Sequence, residues 1–190
     1  MIKITRKTKE TDITCVMGFD EGGTIEVNTG LGFLDHMLVL MAYHGQFALT
    51  LDVKGDLKVD DHHTVEDVGL VIGDCLNGII ETRKGLNRYG SMMLPMDEVL
   101  SQVVVDCCKR PTLVFNCDFK NEKLGDMTSQ NIKEFFKALV QKSQIALHLN
   151  CLYGENDHHK AESLFKGFGH AMKVALIIKG DRDFSTKGVL

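Results

Sequence analysis

A six-residue pattern occurs twice in this 190-residue chain, DHHTVE at residues 61–66 and DHHKAE at 157–162, with an offset of 96 positions. A repeat at a fixed offset constrains the architecture more than any local propensity does, because each copy must sit in an equivalent structural slot. The preceding segments align at nearly the same offset, LDHML at 34–38 against IKEFF at 132–136, which sets His36 opposite Glu134. The surroundings match as well. IKITR, DITCVMGF and TIEVN read as short strands, broken by the turn signal Glu21-Gly22-Gly23. Phe33, Leu34, Met37, Leu38 and Met41 then recur at helical spacing before Gly45, and FALTLDV alternates as a strand should. From His62 to about residue 84, Val65, Val68, Ile72, Leu76, Ile79 and Ile80 form an apolar stripe, with Asp60 or Asp61 placed to cap the helix start.

The order recurs in the second half. MMLPM, VLSQVVVDC and TLVFNCDF read as strands, Gln130 to Lys142 as a helix, IALHLNCLY as a strand, and a last helix starts near His158 with Ala161, Leu164, Phe165, Phe168, Ala171, Met172 and Leu176 on its apolar side. The expected fold is α+β: duplicated β-β-β-α-β-α halves, about 1–88 and 89–190, forming two mixed four-stranded sheets with the helices packed between them. The two repeats make one domain, consistent with the chain length.

Composition excludes several classes of function. Apolar residues make up 44%, charged residues 25%, and mean hydropathy is -0.05, as expected of a globular chain. A net charge of -4 gives no overall positive field for nucleic acid or anionic lipid, so neither is expected as a partner, and an anionic ligand must be held by local cations. The N-terminal MIKITRKTKETDI lacks a signal-peptide stretch, no apolar run is long enough to cross a membrane, and a cytoplasmic location is expected. The cysteines at 15, 75, 107, 108, 117 and 151 contain no CxxC spacing, and read as scattered reduced thiols.

On a helix, residues i and i+4 share a face while i+1 points about 100° round the axis. His62 can therefore bind one metal with Glu66, and His63 must serve another; His158 pairs with Glu162 in the same way and leaves His159 free. A lone His-His at a helix start is more often a solvated or capping feature, but duplication in the same slot favours metal ligation. The donors suit manganese, iron or zinc, and pseudo-twofold symmetry suggests two equivalent centres, each completed from the preceding helix by His36 or Glu134. His44, at a helix end where it can bond free carbonyls, His148 in a strand, and His170, without a partner motif, read as structural. Arg88, Arg110, Lys166 and Lys187, with Ser185 as hydroxyl donor, could form a phosphate site, although each is individually more often a surface salt bridge. Lys166, one turn beyond Glu162, could be a simple helix pair.

RKTKET, GLGFLDHML, DDHHTVEDVGLVIG, RKGLNRYG, PMDEVL, DCCKRP, GENDHHKAESLFKGF and STKGVL, in order across nearly the whole chain, resemble the imidazoleglycerol-phosphate dehydratase family of histidine biosynthesis. The resemblance implies two manganese ions per active site and a hollow homo-oligomer of 24 subunits built from trimers, with sites between neighbouring subunits. It implies His62, Glu66, His159 and Glu134 around one ion, and His36, His63, His158 and Glu162 around the other, the two sets coming from different subunits at a shared interface. Arg88, Arg110, Lys166, Ser185 and Lys187 fall on its phosphate-binding positions, and Glu10 on a residue that reaches the substrate. Three positions depart from the pattern: Glu134 where histidine is common, Leu40 where a glutamine often contacts phosphate, and Lys109 where glycine is usual.

The activity implied is dehydration of D-erythro-imidazole-glycerol phosphate to imidazole-acetol phosphate. Two metals on the ring nitrogens would stabilise a deprotonated imidazolate, whose electrons help expel the C3 hydroxyl. Loss of the C2 proton follows, with Glu10, Glu162 and Glu66 the candidate catalytic carboxylates. A dimetal phosphoester hydrolase and a non-catalytic metal-binding assembly are the alternatives.

Overall fold

In the computed structural model, which describes residues 1–19 and 23–180, three strands open the chain: β1 (Ile2–Lys7), β2 (Thr11–Gly18) and β3 (Ile25–Asn28). They are followed by α1 (Gly32–Gly45), β4 (Ala48–Gly55) and α2 (His62–Glu81). The second half repeats the order with β5 (Tyr89–Met96), β6 (Val99–Asp106), β7 (Thr112–Asn116), α3 (Gln130–Ser143), β10 (Ala146–Tyr153) and α4 (Asp157–Ala175). Between β7 and α3 lies a hairpin that the alternation of apolar residues does not announce, β8 (Lys123–Leu124) and β9 (Met127–Thr128). Of the expected turn at 21–23, Glu21 and Gly22 lie outside the described residues, as do Ser185 and Lys187.

The two sheets have the same topology, β1-β2-β4-β3 and β5-β6-β10-β7. In each, the first three neighbours pair antiparallel, and the last strand joins parallel through a helical crossover, β3 beside β4 and β7 beside β10. Each sheet buries one face against its helices. Along β2, Ile13, Cys15 and Met17 are sealed from solvent, and along β10 so are Leu147 and Leu149. The architecture is α+β, with two mixed four-stranded sheets and four helices layered between them.

The helices do not pair within their own halves. α1 packs along α4 and α2 along α3, so each crossing joins the first repeat to the second. Glycines permit the close approach. A Cβ on Gly73 would stand 2.5 Å from the Leu139 carbonyl oxygen, and one on Gly69 would stand 2.5 Å from that of Phe135. Phe135, Phe136, Phe165 and Phe168 then fill the space beneath α3 and α4, with ring centroids 4.8–5.8 Å apart. Truncating a ring buried this completely to alanine costs about 3–5 kcal/mol.

The repeat is also visible in how helices stop. α1 and α3 both end on a glutamine in the left-handed region, Gln46 at φ 53° and Gln144 at φ 57°. The equivalence slips most between the third strand and the helix after it. β3 and β7 start 87 residues apart while α1 and α3 start 98 apart, so eleven residues enter the second half between them, where the hairpin lies. Among the described residues, no helix is long and apolar enough to cross a membrane.

Candidate active site

Because α1 crosses α4, His36 meets the second copy of the motif. Its Nε2 lies 3.7 Å from the Glu162 carboxylate, which His158 Nε2 approaches to 3.2 Å. The donor atoms of His36, His158 and Glu162 all fall within 4.8 Å of one another. The edge of Phe33 packs against the His158 ring, with centroids 5.4 Å apart. Burial opposes ionisation of Glu162, but Lys166, His158 and His36 hold its carboxyl below the ordinary range.

The other copy repeats the histidine–glutamate pair, but among the described residues no third donor converges on it. His62 Nε2 lies 3.6 Å from Glu66, and Asn131 on α3 receives His62 Nδ1 at 3.1 Å. Glu134, one turn further along α3, pairs with Lys137 at 3.0 Å, and Lys137 also feels the charge of Glu66. The expectation that each centre is completed by the helix before it is therefore corrected. His36 of α1 joins the α4 donors and Glu134 of α3 sits on the α2 side, since helix packing across the repeat overrides sequence order.

The second histidine of each pair turns away, as i+1 geometry requires. His63 gives Nδ1 to Asp56 at 3.0 Å, with Nε2 3.9 Å from Glu10. His159 gives Nδ1 to Glu98 at 2.8 Å, with Nε2 3.7 Å from Asp97. A carboxylate only accepts, so it fixes the proton on Nδ1 and leaves the Nε2 lone pair for a ligand, the usual arrangement behind a metal-bound imidazole. The same carboxylates raise both imidazoles above their ordinary value, and Glu98, held by the Asn156 N–H and by His159, is pulled down to about 2. This donor set, nitrogen and carboxylate oxygen with Nδ1 of His62, His63 and His159 already occupied, fits a borderline or hard divalent cation.

Sequence spacing missed these supports. Asp56, Glu98 and Asn131 orient imidazoles from other elements, and only the acidic pair in PMDE hinted at one of them. It also missed what the aspartate of each DHH does. Asp61 does not cap its own helix. Its carboxylate accepts from the Thr128 N–H at 2.6 Å and hydroxyl at 2.8 Å, while Asp60 receives the His62 N–H at 2.9 Å. Asp157 accepts from the N–H groups of Lys120 and Asn121 at 2.7 and 2.8 Å. Asp126, from the hairpin turn, caps α1 through the N–H groups of Gly32 and Phe33, at 2.6 and 3.0 Å. Residues 120–128 thus tie together the starts of the three helices that carry the histidines.

The cations are less concentrated. Arg88, at φ 70°, makes a bidentate pair with Asp106 at 2.7 and 3.1 Å and lies over the Tyr89 ring. Arg110 is exposed. Lys166 pairs with Glu162 and reaches the Met96 sulfur at 3.7 Å, which bears out the helix-pair reading. Arg88 and Lys166 thus sit by opposite ends of β5, roughly 20 Å apart at about 3.3 Å per residue. Leu40 packs against the core rather than offering a donor. Lys109 adopts φ 54°, the left-handed conformation that favours glycine. His44 and His170, expected to be structural, meet across the α1–α4 seam, Nδ1 to Nε2 at 3.2 Å, so His44 does not cap carbonyls and His170 has a partner.

Fold and site together define a class: a duplicated α+β domain that presents paired imidazole and carboxylate donors at the starts of its helices. The family model described as imidazoleglycerol-phosphate dehydratase matches residues 29–172. The chain is 49% identical to the imidazoleglycerol-phosphate dehydratase of Clostridioides difficile strain 630 over 188 residues, covering 99% of this chain and 98% of that protein. It is 50% identical to that of Caldicellulosiruptor bescii over 188 residues, covering 99% and 97%. The crystal structure of the Staphylococcus aureus N315 enzyme superposes with a TM-score of 0.84 at 37% identity, covering 94% of this chain and all of that one. The Pyrococcus furiosus enzyme, solved in complex with (S)-C348, does so with a TM-score of 0.84 at 34% identity, covering 98% and 100%. The chain belongs to the imidazoleglycerol-phosphate dehydratase family, and is a hydro-lyase acting at the dehydration step of histidine biosynthesis.

Proposed function

We propose that this chain removes water from D-erythro-imidazole-glycerol phosphate to give imidazole-acetol phosphate, using two divalent cations, manganese by resemblance, held by the duplicated histidine-glutamate clusters. The observation that carries the reading is one convergent cluster and its partly matched counterpart. His36, His158 and Glu162 converge within 4.8 Å, His62 and Glu66 form the counterpart beside Glu134, and each copy leaves one imidazole, His63 or His159, facing away from its own cluster. A second copy of the chain supplies what each cluster lacks: His63 joins His36, His158 and Glu162, and His159 joins His62, Glu66 and Glu134. The wide separation of Arg88 and Lys166 within one chain argues in the same direction, since a single phosphate cannot touch both unless copies meet. The assembly proposed is a homo-oligomer of 24 subunits built from trimers, in the cytoplasm.

When bound, the two cations supply Lewis acidity at the imidazole nitrogens of the substrate. The chain's own residues do the rest. Arg88, Arg110, Lys166, Ser185 and Lys187 hold the phosphate and orient the carbon chain, so remote binding energy fixes the reacting carbons. Glu10, 3.9 Å from His63 and exposed at the β1–β2 turn, is free to take the carbon-bound proton, with Glu162 and Glu66 as the other carboxylates in reach of the clusters.

The test is to strip the purified protein of metal, reload it with manganese, and follow acetol product and inorganic phosphate together. Metal-dependent acetol formation with phosphate retained is expected. Release of inorganic phosphate would mark a hydrolase, and metal uptake without turnover would mark a non-catalytic assembly; either overturns the proposal.

A further inference from the structure

β7 and β10 run parallel in register from Thr112 opposite Ala146 to Asn116 opposite Asn150, and the Asn116 amide donates to Asn150 Oδ1 at 2.7 Å. One residue beyond the last pair, continuation of this register would set Cys117 against Cys151, and the two side chains interact by a hydrogen bond. Neighbouring strands lie about 4.8 Å apart, inside the 4.4–6.8 Å Cα separation that a disulfide spans. Both cysteines share the parity of Phe115 and Leu149, so both thiols stand on the same, helix-facing side of the sheet. They line one open cavity of about 410 Å³ with Asp118, Tyr153 and Lys160, and both are part-exposed.

From this juxtaposition we infer that Cys117 and Cys151 form a dithiol modification site, closed to an intramolecular disulfide by small-molecule disulfides of the glutathione type. Burial raises the Cys117 thiol to about 12, with Cys151 adding to the effect, while Lys160 opposes it. In this proposal Cys151 reacts first. Its thiolate displaces one thiolate from the reagent and forms a mixed disulfide; the Cys117 sulfur then attacks Cys151 Sγ and releases the second. The two thiol protons pass to solvent, and the two electrons given up by the cysteines reduce the reagent to two thiols. No equivalent site exists at Cys15 and Cys75, which interact with each other but are fully buried, so no reagent reaches them.

The position gives the modification a consequence. Lys120 and Asn121, whose N–H groups hold Asp157 and with it the start of α4, follow Cys117 by three and four residues. A covalent bond at 117–151 pins the root of that connection to the strand leading into α4. The inference stands on strand register and does not depend on the catalytic proposal.

The full-length protein is incubated with oxidised glutathione, quenched with an alkylating agent, digested without reduction and mapped by mass spectrometry. A Cys117–Cys151 cross-linked peptide that disappears with dithiothreitol is expected from the unmodified sequence, and a stable glutathione adduct on Cys151 from Cys117→Ser. Full alkylation of both cysteines, or a glutathione adduct that persists on Cys151 while Cys117 is intact, would overturn it. The unmodified protein decides the matter even if the serine variant does not fold.

Discussion

Replacing Asp157 by alanine tests whether the aspartate in each DHH motif is a structural member rather than a ligand. Its side chain is fully buried, and one carboxylate oxygen accepts from Lys120 N–H at 2.7 Å, Asn121 N–H at 2.8 Å and the Asn121 side chain at 2.9 Å. The other oxygen accepts from the Lys160 ammonium at 2.8 Å, and among the described residues that ammonium's other hydrogen-bond partner is the Asp118 carbonyl, at 2.9 Å. Burial alone would push the carboxyl up, yet Lys160 and the two N–H donors outweigh it and the group titrates low. Removing the carboxylate strands a buried ammonium and two amides, so Asp157→Ala should cost about 3–5 kcal/mol. Lys160→Met leaves the carboxylate with its three N–H donors and should cost less, about 1–2 kcal/mol. In the double variant no buried charge remains, so its cost should fall short of the sum by about 2 kcal/mol. Urea unfolding at fixed protein concentration reads all three, because assembly makes apparent stability concentration-dependent. Additivity within about 0.5 kcal/mol, or a single-variant cost for Asp157→Ala below about 1 kcal/mol, would refute the reasoning.

Three further outcomes are expected. Glu98→Gln and Asp56→Asn, which loosen the Nδ1 partners of His159 and His63, should each weaken manganese binding about 10- to 100-fold with helix content unchanged, as read by metal titration and circular dichroism; unchanged affinity counts against the proposed metal role. Gly73→Ala should destabilise by about 1–2 kcal/mol, an overpacking cost against Leu139 and Lys142 that exceeds the helix-propensity gain, whereas Gly78→Ala, which meets only Ile2 at 3.4 Å, should be neutral or stabilising by up to about 1 kcal/mol; equal effects in thermal unfolding would contradict the helix-crossing geometry. Burial opposes ionisation of Asp61, but the Thr128 bonds lower its folded-state value below that of an unfolded aspartate, so its contribution is present above about pH 4 and disappears as pH falls through the lower, folded value. Asp61→Asn should therefore flatten the acid limb of the stability curve, and an unchanged limb would remove Asp61 as its cause.

The helices, the strands and the separation of the two histidines in each pair were legible because they depend on periods of two and 3.6 residues within one element. Which cluster His36 joins was legible from the family resemblance but not from spacing, since it depends on α1 crossing α4 instead of α2, and single-helix patterning says nothing about partners. Nor was the role of the eleven added residues. KNEKLGDMTS reads as a polar loop, yet its carboxylate at 126 caps α1 and its backbone N–H groups at 120, 121 and 128 donate to Asp157 and Asp61. These bonds span 36 to 94 positions in sequence, beyond any local signal. They also explain why the chain keeps an exact DHH at both places while the rest of the two halves has diverged. The histidines can act as paired donors only if the starts of α1, α2 and α4 hold a fixed relation, and duplication alone leaves those ends free. One insertion, placed once rather than twice, links all three, through the aspartate of each motif at α2 and α4 and through its own Asp126 at α1.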